Sequence, residues 1–235
     1  LSFETREGIL KKCNKTRAKK LGDVAMRFLK KEQSSLEAQL TNVCDQIAYN
    51  NHDIQDGINA KKISLEQLST VSLFKNQMNL ALKEYPKLSK SKIVNETVRR
   101  IINLLVSDLI INSKKNIESY NIKSPNDVRI CEKEVICFSN EMKKENMNLK
   151  RFLHKNLYKH PDVKKMTDKA TIVIRDLFNA YSQDIDLLPK PFLKHNMLKI
   201  EENEAERVIC DYIAGMTDRF ALKEHKELQR KRSAC

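Results

Sequence analysis

The sequence predicts an all-α protein, and three observations carry that expectation. Turn formers are scarce, with 4 Gly and 5 Pro in 235 residues, whereas an all-β chain of this size needs many more to connect its strands. Apolar residues recur at helical spacing through most of the chain. Hydrophobic residues make up 40% and charged residues 32%, enough for a core beneath a highly charged surface, in one large or two modest domains.

The elements follow in order. Residues 1–13 read as a helix, with Phe3, Ile9 and Leu10 apolar and Glu4, Arg6 and Glu7 polar. Residues 14–20, holding Lys15, Arg17, Lys19 and Lys20, read as a basic connector, either a solvated loop or a contact to phosphates. Helices are expected over 21–31 and 34–60. Ser34 or Ser35 caps the second, and Glu37 falls in its first turn, where the helix dipole favours acid. Gly57 is placed to end or loosen that helix.

Residues 64–83 read as one helix, capped by Ser64 and stopped by Pro86, with Leu65, Leu68, Val71, Leu73 and Phe74 in its apolar stripe. Ser89–Asn112 is the most apolar segment and is expected as a central core helix. Arg99 and Arg100 at its start point either to surface partners or towards residues 45–56. Ser113–Asp127 reads as a polar connector, and Val128–Cys137 as either a strand or a helix start.

A mixed helix over Met142–His160 ends at Pro161, and an amphipathic one covers Val163–Asp184. Pro189 and Pro191 set a rigid, non-helical connection. Glu201–Lys231 reads as a last long helix with Ile209, Ile213, Met216 and Phe220 in its core stripe, followed by the basic tail Arg230-Lys231-Arg232. Gly215 inside it costs roughly 1 kcal/mol against Ala, which implies close approach of another backbone or a ligand.

Composition narrows the function. No run reaches the length and apolarity of a membrane span, and the opening Leu1-Ser2-Phe3-Glu4 lacks a secretory signal's basic and apolar regions. Six cysteines, at 13, 44, 131, 137, 210 and 235, form no Cys-x2-Cys pair. They read as buried reduced thiols of a cytoplasmic protein, without zinc or disulfides. The formal charge of +13 implies affinity for a polyanion, whether nucleic acid, a triphosphate or nothing specific. With no Trp and 6% aromatics, a base-stacking platform has little material. His154 and His160 lie among lysines, a poor setting for a cation. A P-loop, a Gly-x-Gly-x-x-Gly and a Gly-x-Ser-x-Gly are absent.

The chemistry concentrates in Cys44–Gly57. Taking Asp45 as zero on a helix, Tyr49 falls at about +40°, Asp53 at about +80°, His52 at about −20° and Asp56 at about +20°. Leu40, Val43, Ile47, Ile54 and Ile58 gather opposite. Such a polar face commonly meets only water. Yet of the three carboxylates on this face, Asp45, Asp53 and Asp56, the last two stand at i and i+3 and repel, and a metal ion or basic partner relieves that.

The spacing Asp45-x3-Tyr49-x3-Asp53 within "DQIAYNNHDIQDG" resembles the last conserved helix motif of the HD-domain deoxynucleoside triphosphate triphosphohydrolases, the bacterial dGTPase-like family. Further blocks at 1–12, 92–111 and 204–228 resemble the same family in the same order: "LSFETREGILKK", "NETVRRIINLLVSDLI" and "ERVICDYIAGMTDRFALKEHKEL". The resemblance implies an all-helical protein, with 1–112 the distal part of an HD-type catalytic domain and 113–235 a C-terminal helical region packed on it. It implies hydrolysis of a dNTP, dGTP foremost, to the deoxynucleoside and triphosphate.

On the same grounds Asp45 matches a metal-binding Asp. Tyr49 and Asp53 match deoxyribose contacts, the Asp receiving the 3′-hydroxyl. Tyr212 and Asp218 are weaker candidates for the pocket lining. The divalent ion (Mn, Mg or Fe) is held in the family by a His and a His-Asp dyad besides that Asp, and these should lie upstream of residue 1. The pair His52-Asp53 belongs to the later motif and is not that dyad. The 235-residue chain alone is therefore expected to be inactive. A homo-oligomer is the implied assembly. The competing reading is a non-catalytic helical remnant that oligomerises or binds single-stranded nucleic acid, motivated by the missing ligands and the basic charge.

Overall fold

A computed structural model of the chain describes residues 1–11, 13–201 and 204–233. Every regular element among them is a helix. Lys12, Glu202 and Asn203, the Lys231 and Arg232 side chains of the expected tail, and Cys235 lie outside what is described. The chain divides into two compact units, Leu1–Lys159 and His160–Cys235.

The first unit holds α1 (Phe3–Ile9), α2 (Lys15–Leu21), α3 (Met26–Lys30), α4 (Leu36–Asn59), α5 (Leu65–Leu68), α6 (Ser72–Glu84), α7 (Lys90–Ser119), α8 (Pro125–Ile130) and α9 (Asn140–Leu153). Its core lies where α4, α6, α7 and α9 meet, with Ile54, Phe74, Ile101, Leu105 and Leu149 fully enclosed. Burying each such side chain stabilises the unit by roughly 1.5–3 kcal/mol. Ser35 caps α4 by accepting from the Ala38 N–H at 3.2 Å. Leu40, assigned to the apolar side from periodicity, is 45% exposed.

Several expectations need correction here. Residues 14–20 are no connector: Asn14 accepts from the Arg17 N–H at 2.8 Å and caps α2. The helix expected over 64–83 is two helices. Ser69 and Thr70 turn their hydroxyls back onto the Leu65 and Gln67 carbonyls, and Val71, in extended conformation, precedes α6. The polar residues after Asn112 continue α7 to Ser119.

They do so usefully. Asn112 and Asn116 donate to the carbonyls of Cys137 and Val135, both at 2.9 Å, and the buried Gln39 carbonyl accepts from the Val135 and Ile136 N–H groups at 2.9 and 3.0 Å. Side-chain amides thus bond the backbone of residues 135–137 in place of a strand partner. Arg99 and Arg100 do not face residues 45–56; they pair with Glu96, and Arg100 also with Glu84.

The buried carboxylate of Glu7, 2% exposed, ties α1 to α8. It accepts both guanidinium arms of Arg129 at 2.7 and 3.0 Å, with Arg27 at 3.8 Å.

The second unit holds α10 (Pro161–Gln183), α11 (Lys190–Glu201), α12 (Ala205–Ala214) and α13 (Asp218–Ser233). Val173, Leu177, Tyr181, Leu188 and Ile209 form its core. Helix α11 was not expected after two prolines, but Pro191 sits in its first turn, where a missing N–H breaks no intrahelical bond. The single helix expected over 201–231 is broken after Ala214. Gly215 is the C-cap of α12, not a mid-helix residue. The nearest atoms to a Cβ placed there are the Tyr212 and Asp211 carbonyls, at 3.4 and 3.6 Å in its own preceding turn. Among the described residues no other backbone approaches Gly215 closely.

The five described cysteines are free thiols and none is buried; Cys44 and Cys210 are exposed. No described helix is long and apolar enough to cross a membrane.

Candidate functional site

Helix α4 presents Asp45, Tyr49 and Asp53 on one side, as their spacing requires. Asp45 is exposed and meets the Lys11 ammonium at 3.2 Å. Tyr49 is 58% exposed, yet its ring is not alone. Tyr158 lies parallel to it, with centroids 6.4 Å apart and planes inclined by 7°. The Tyr158 hydroxyl donates to the Asp53 carboxylate.

Tyr158 reaches this position because α9 runs on into a π-helical turn, His154–Tyr158, before Pro161 ends the path. The Lys159 N–H donates to the His154 carbonyl at 3.1 Å, the i to i−5 bond that widens a π turn and re-aims its side chains. Gly57 makes room for it. A Cβ at this position would lie 2.7 Å from Ile63 Cδ1 and 3.3 Å from Leu157 Cδ1, so the glycine does not end α4 but lets the π turn close on it. Asn50 donates to the Asn146 side-chain carbonyl at 3.3 Å in the buried seam between α4 and α9.

Between them the two helices leave an open recess of about 460 Å³ whose lining includes Asp45, Tyr49, Lys150, His154 and Tyr158. Burial pushes the Asp53 carboxyl above its ordinary range, with Asp56 adding to the rise; the Tyr158 bond and His52 partly offset it. Burial first, then the bond to Asp53, drives the Tyr158 phenol well above the usual tyrosine range. The hydroxyl therefore stays a neutral donor, and the Asp53 carboxylate that accepts it keeps unused lone pairs.

His154 and Tyr158 escaped the sequence reading, which considered His154 only as a metal ligand. The available signal was their one-turn spacing just ahead of Pro161. Tyr212 and Asp218 belong to the second unit. Tyr212 packs edge-on to Tyr181 at 5.6 Å and against Phe192 at 4.9 Å. Asp218, exposed, opens α13 and borders an apolar groove that Tyr212 does not line.

Among the described residues no three His, Cys, Asp or Glu side chains converge as a metal site. Asp45 offers one carboxylate beside an ammonium. That donor set does not fit a divalent ion by itself.

Residues 136–227 match the family model of the phosphohydrolase-associated domain. Over 228 residues, 97% of its length, the chain is 43% identical to a deoxyguanosinetriphosphate triphosphohydrolase-like protein of Thiobacillus denitrificans and 45% identical to one of Ralstonia pickettii. A third, from Nitrosomonas europaea, is 43% identical over 229 residues. The chain is thus similar over nearly its whole length to dGTPase-like proteins. It spans 58–59% of the length of these relatives.

Proposed function

We propose that the chain contributes the sugar-recognising wall of a deoxynucleoside triphosphate triphosphohydrolase, which converts a dNTP and water to the deoxynucleoside and inorganic triphosphate, with dGTP the first substrate to try. The observation that carries this reading is the Tyr49–Tyr158–Asp53 arrangement. Two parallel aromatic rings bound a slot, and the carboxylate at its edge already takes one hydroxyl. A deoxyribose fits such an edge through its 3′-hydroxyl, accepted by Asp53, with its carbon face against Tyr49. Lys150, in the recess lining, and Lys11, paired with Asp45 of that lining, supply positive charge for phosphates.

Asp45 is proposed as one ligand of the divalent ion (Mn, Mg or Fe) used by the whole enzyme. No reaction step is assigned to it here, because the described donors do not suffice. The 235-residue polypeptide alone is accordingly expected to bind deoxynucleotide without releasing triphosphate. The test is titration with dGTP and with 2′,3′-dideoxy-GTP. If Asp53 receives the 3′-hydroxyl, the dideoxy compound binds about tenfold more weakly, and Asp53→Asn erases the difference. Equal affinity of the two nucleotides for the unaltered chain would overturn the reading.

A further inference from the structure

We propose that the groove between α10 and α13 binds an oligophosphate anion. Lys164, Lys165 and Lys169 of α10 and Lys226 of α13 line one open groove of about 620 Å³. Overall basicity does not account for this. The second unit holds 14 Lys and Arg against 13 Asp and Glu, so it is nearly neutral while the groove is not. Other lysines and arginines of the unit pair elsewhere, for example Arg207 with Asp211 and Lys223 with Glu227. None of the four groove lysines joins an ion pair among the described residues. The lining includes one carboxylate, Asp168, which leaves the positive charge in excess.

Lys165 and Lys169 stand one helical turn apart, a like-charge pair whose repulsion an anion relieves. Ile172, Val173 and Leu222 also line the groove, together with His225, whose Nε2 is held by Asp176 at 2.7 Å. Lysine ammoniums are compact point charges suited to phosphate oxygens.

Two features choose the ligand. The three α10 lysines span about 7.5 Å of helix, a few linked phosphates rather than a nucleic-acid tract. The groove lining contains no Phe or Tyr ring on which a base could stack, and its one imidazole, His225, is held by Asp176. Free tripolyphosphate and the tail of a nucleoside triphosphate offer the same chemistry.

The experiment titrates the full chain at low salt with inorganic tripolyphosphate, dATP and a single-stranded oligothymidylate. It compares Lys164→Gln/Lys165→Gln/Lys226→Gln with Lys143→Gln/Lys144→Gln/Arg151→Gln, which removes the same charge from an exposed face of α9. Circular dichroism checks that both variants stay helical.

The groove variant is expected to weaken tripolyphosphate binding by about tenfold or more, and the α9 variant by less than about twofold. Similar affinity for dATP, lost in the same variant, extends the site to nucleotide tails; binding of tripolyphosphate alone restricts it to the free anion. Equal loss in both variants would reduce the effect to bulk charge and overturn the proposal. So would oligothymidylate binding without tripolyphosphate binding.

Discussion

The Tyr158 hydroxyl donates to the carboxylate of Asp53, a residue 105 positions earlier in the chain. This bond holds the two halves of the candidate sugar edge together and tunes the acid. Burial raises the Asp53 pKa, and the bond opposes the rise. As pH falls through that raised pKa the carboxylate protonates and stops accepting a hydroxyl, so deoxynucleotide affinity should fall with it. Tyr158→Phe removes the offsetting bond. The pH at which binding is lost should move upward by up to about one unit, equivalent to about 1.4 kcal/mol. Calorimetric titration with dGTP across the acid range checks this, and an unchanged midpoint would refute the coupling.

Gly57 should resist substitution although alanine is the better helix former. The helical gain is about 1 kcal/mol, but the new methyl would press into Ile63 at 2.7 Å. Ile63 is 4% exposed and has little room to yield, and overpacking of this kind costs about 1–3 kcal/mol. Gly57→Ala is therefore expected to be destabilising by about 1 kcal/mol in urea unfolding. It should also weaken dGTP binding, because Leu157 on the Tyr158 turn is the other neighbour. Adding Ile63→Val should recover part of the loss; no recovery would place the strain elsewhere.

The acidic face of α4 was legible because one periodicity sorted both its apolar and its charged residues, and the i, i+4 spacing needs no tertiary information. Tyr158 was not legible. Its place depends on a π turn and on a glycine a hundred positions away, neither of which has a local pattern. Val128–Cys137 was ambiguous for a related reason: its first residues end α8, and the backbone at 135–137 is bonded by Gln39, Asn112 and Asn116, side chains distant in sequence. Gly215 misled because mid-helix glycine and C-cap glycine look alike until the break at Thr217 is seen.

Glu7 is a buried acid facing two guanidinium groups. Glu7→Gln would leave Arg129 and Arg27 without their counter-charge, and breaking such a pair typically costs about 3–5 kcal/mol. Arg129 is partly exposed, with 23% of its side chain accessible, so a loss of about 2–3 kcal/mol is expected in denaturant unfolding. A loss below about 1 kcal/mol would mean that solvent replaces the pairing.

The acid limb of stability should carry the mark of Glu96. Hydrogen bonds and charge from Arg99, then Arg100, hold its carboxyl at about 2, down from the ordinary 4.5. A lowered native pKa gives stability that is present above the unfolded value and lost as pH falls from about 4.5 towards 2. Glu96→Gln should flatten the pH dependence of unfolding in that window and leave its slope near neutrality unchanged. An unaltered acid limb would show that the arginines do not bind the carboxylate differently in the folded state.

Asp45 separates a structural from a functional role most cleanly. Its one ion pair, with Lys11, joins side chains that are 65% and 50% exposed, and exposed pairs contribute about 0–1 kcal/mol. Asp45→Asn is therefore expected to shift the unfolding midpoint by no more than a change of about 0.5 kcal/mol would. If Asp45 is one ligand of a divalent ion in the whole enzyme, the same substitution, made in a full-length relative with its complete ligand set, should abolish metal-dependent release of triphosphate from dGTP. The chain's own response is the complementary measurement. The 235-residue Asp45→Asn protein should keep its affinity for dGTP within about twofold, because the proposed sugar contacts at Tyr49 and Asp53 are untouched. Retained turnover in the full-length variant would return Asp45 to the solvated surface, and a large loss of stability would give it a structural role.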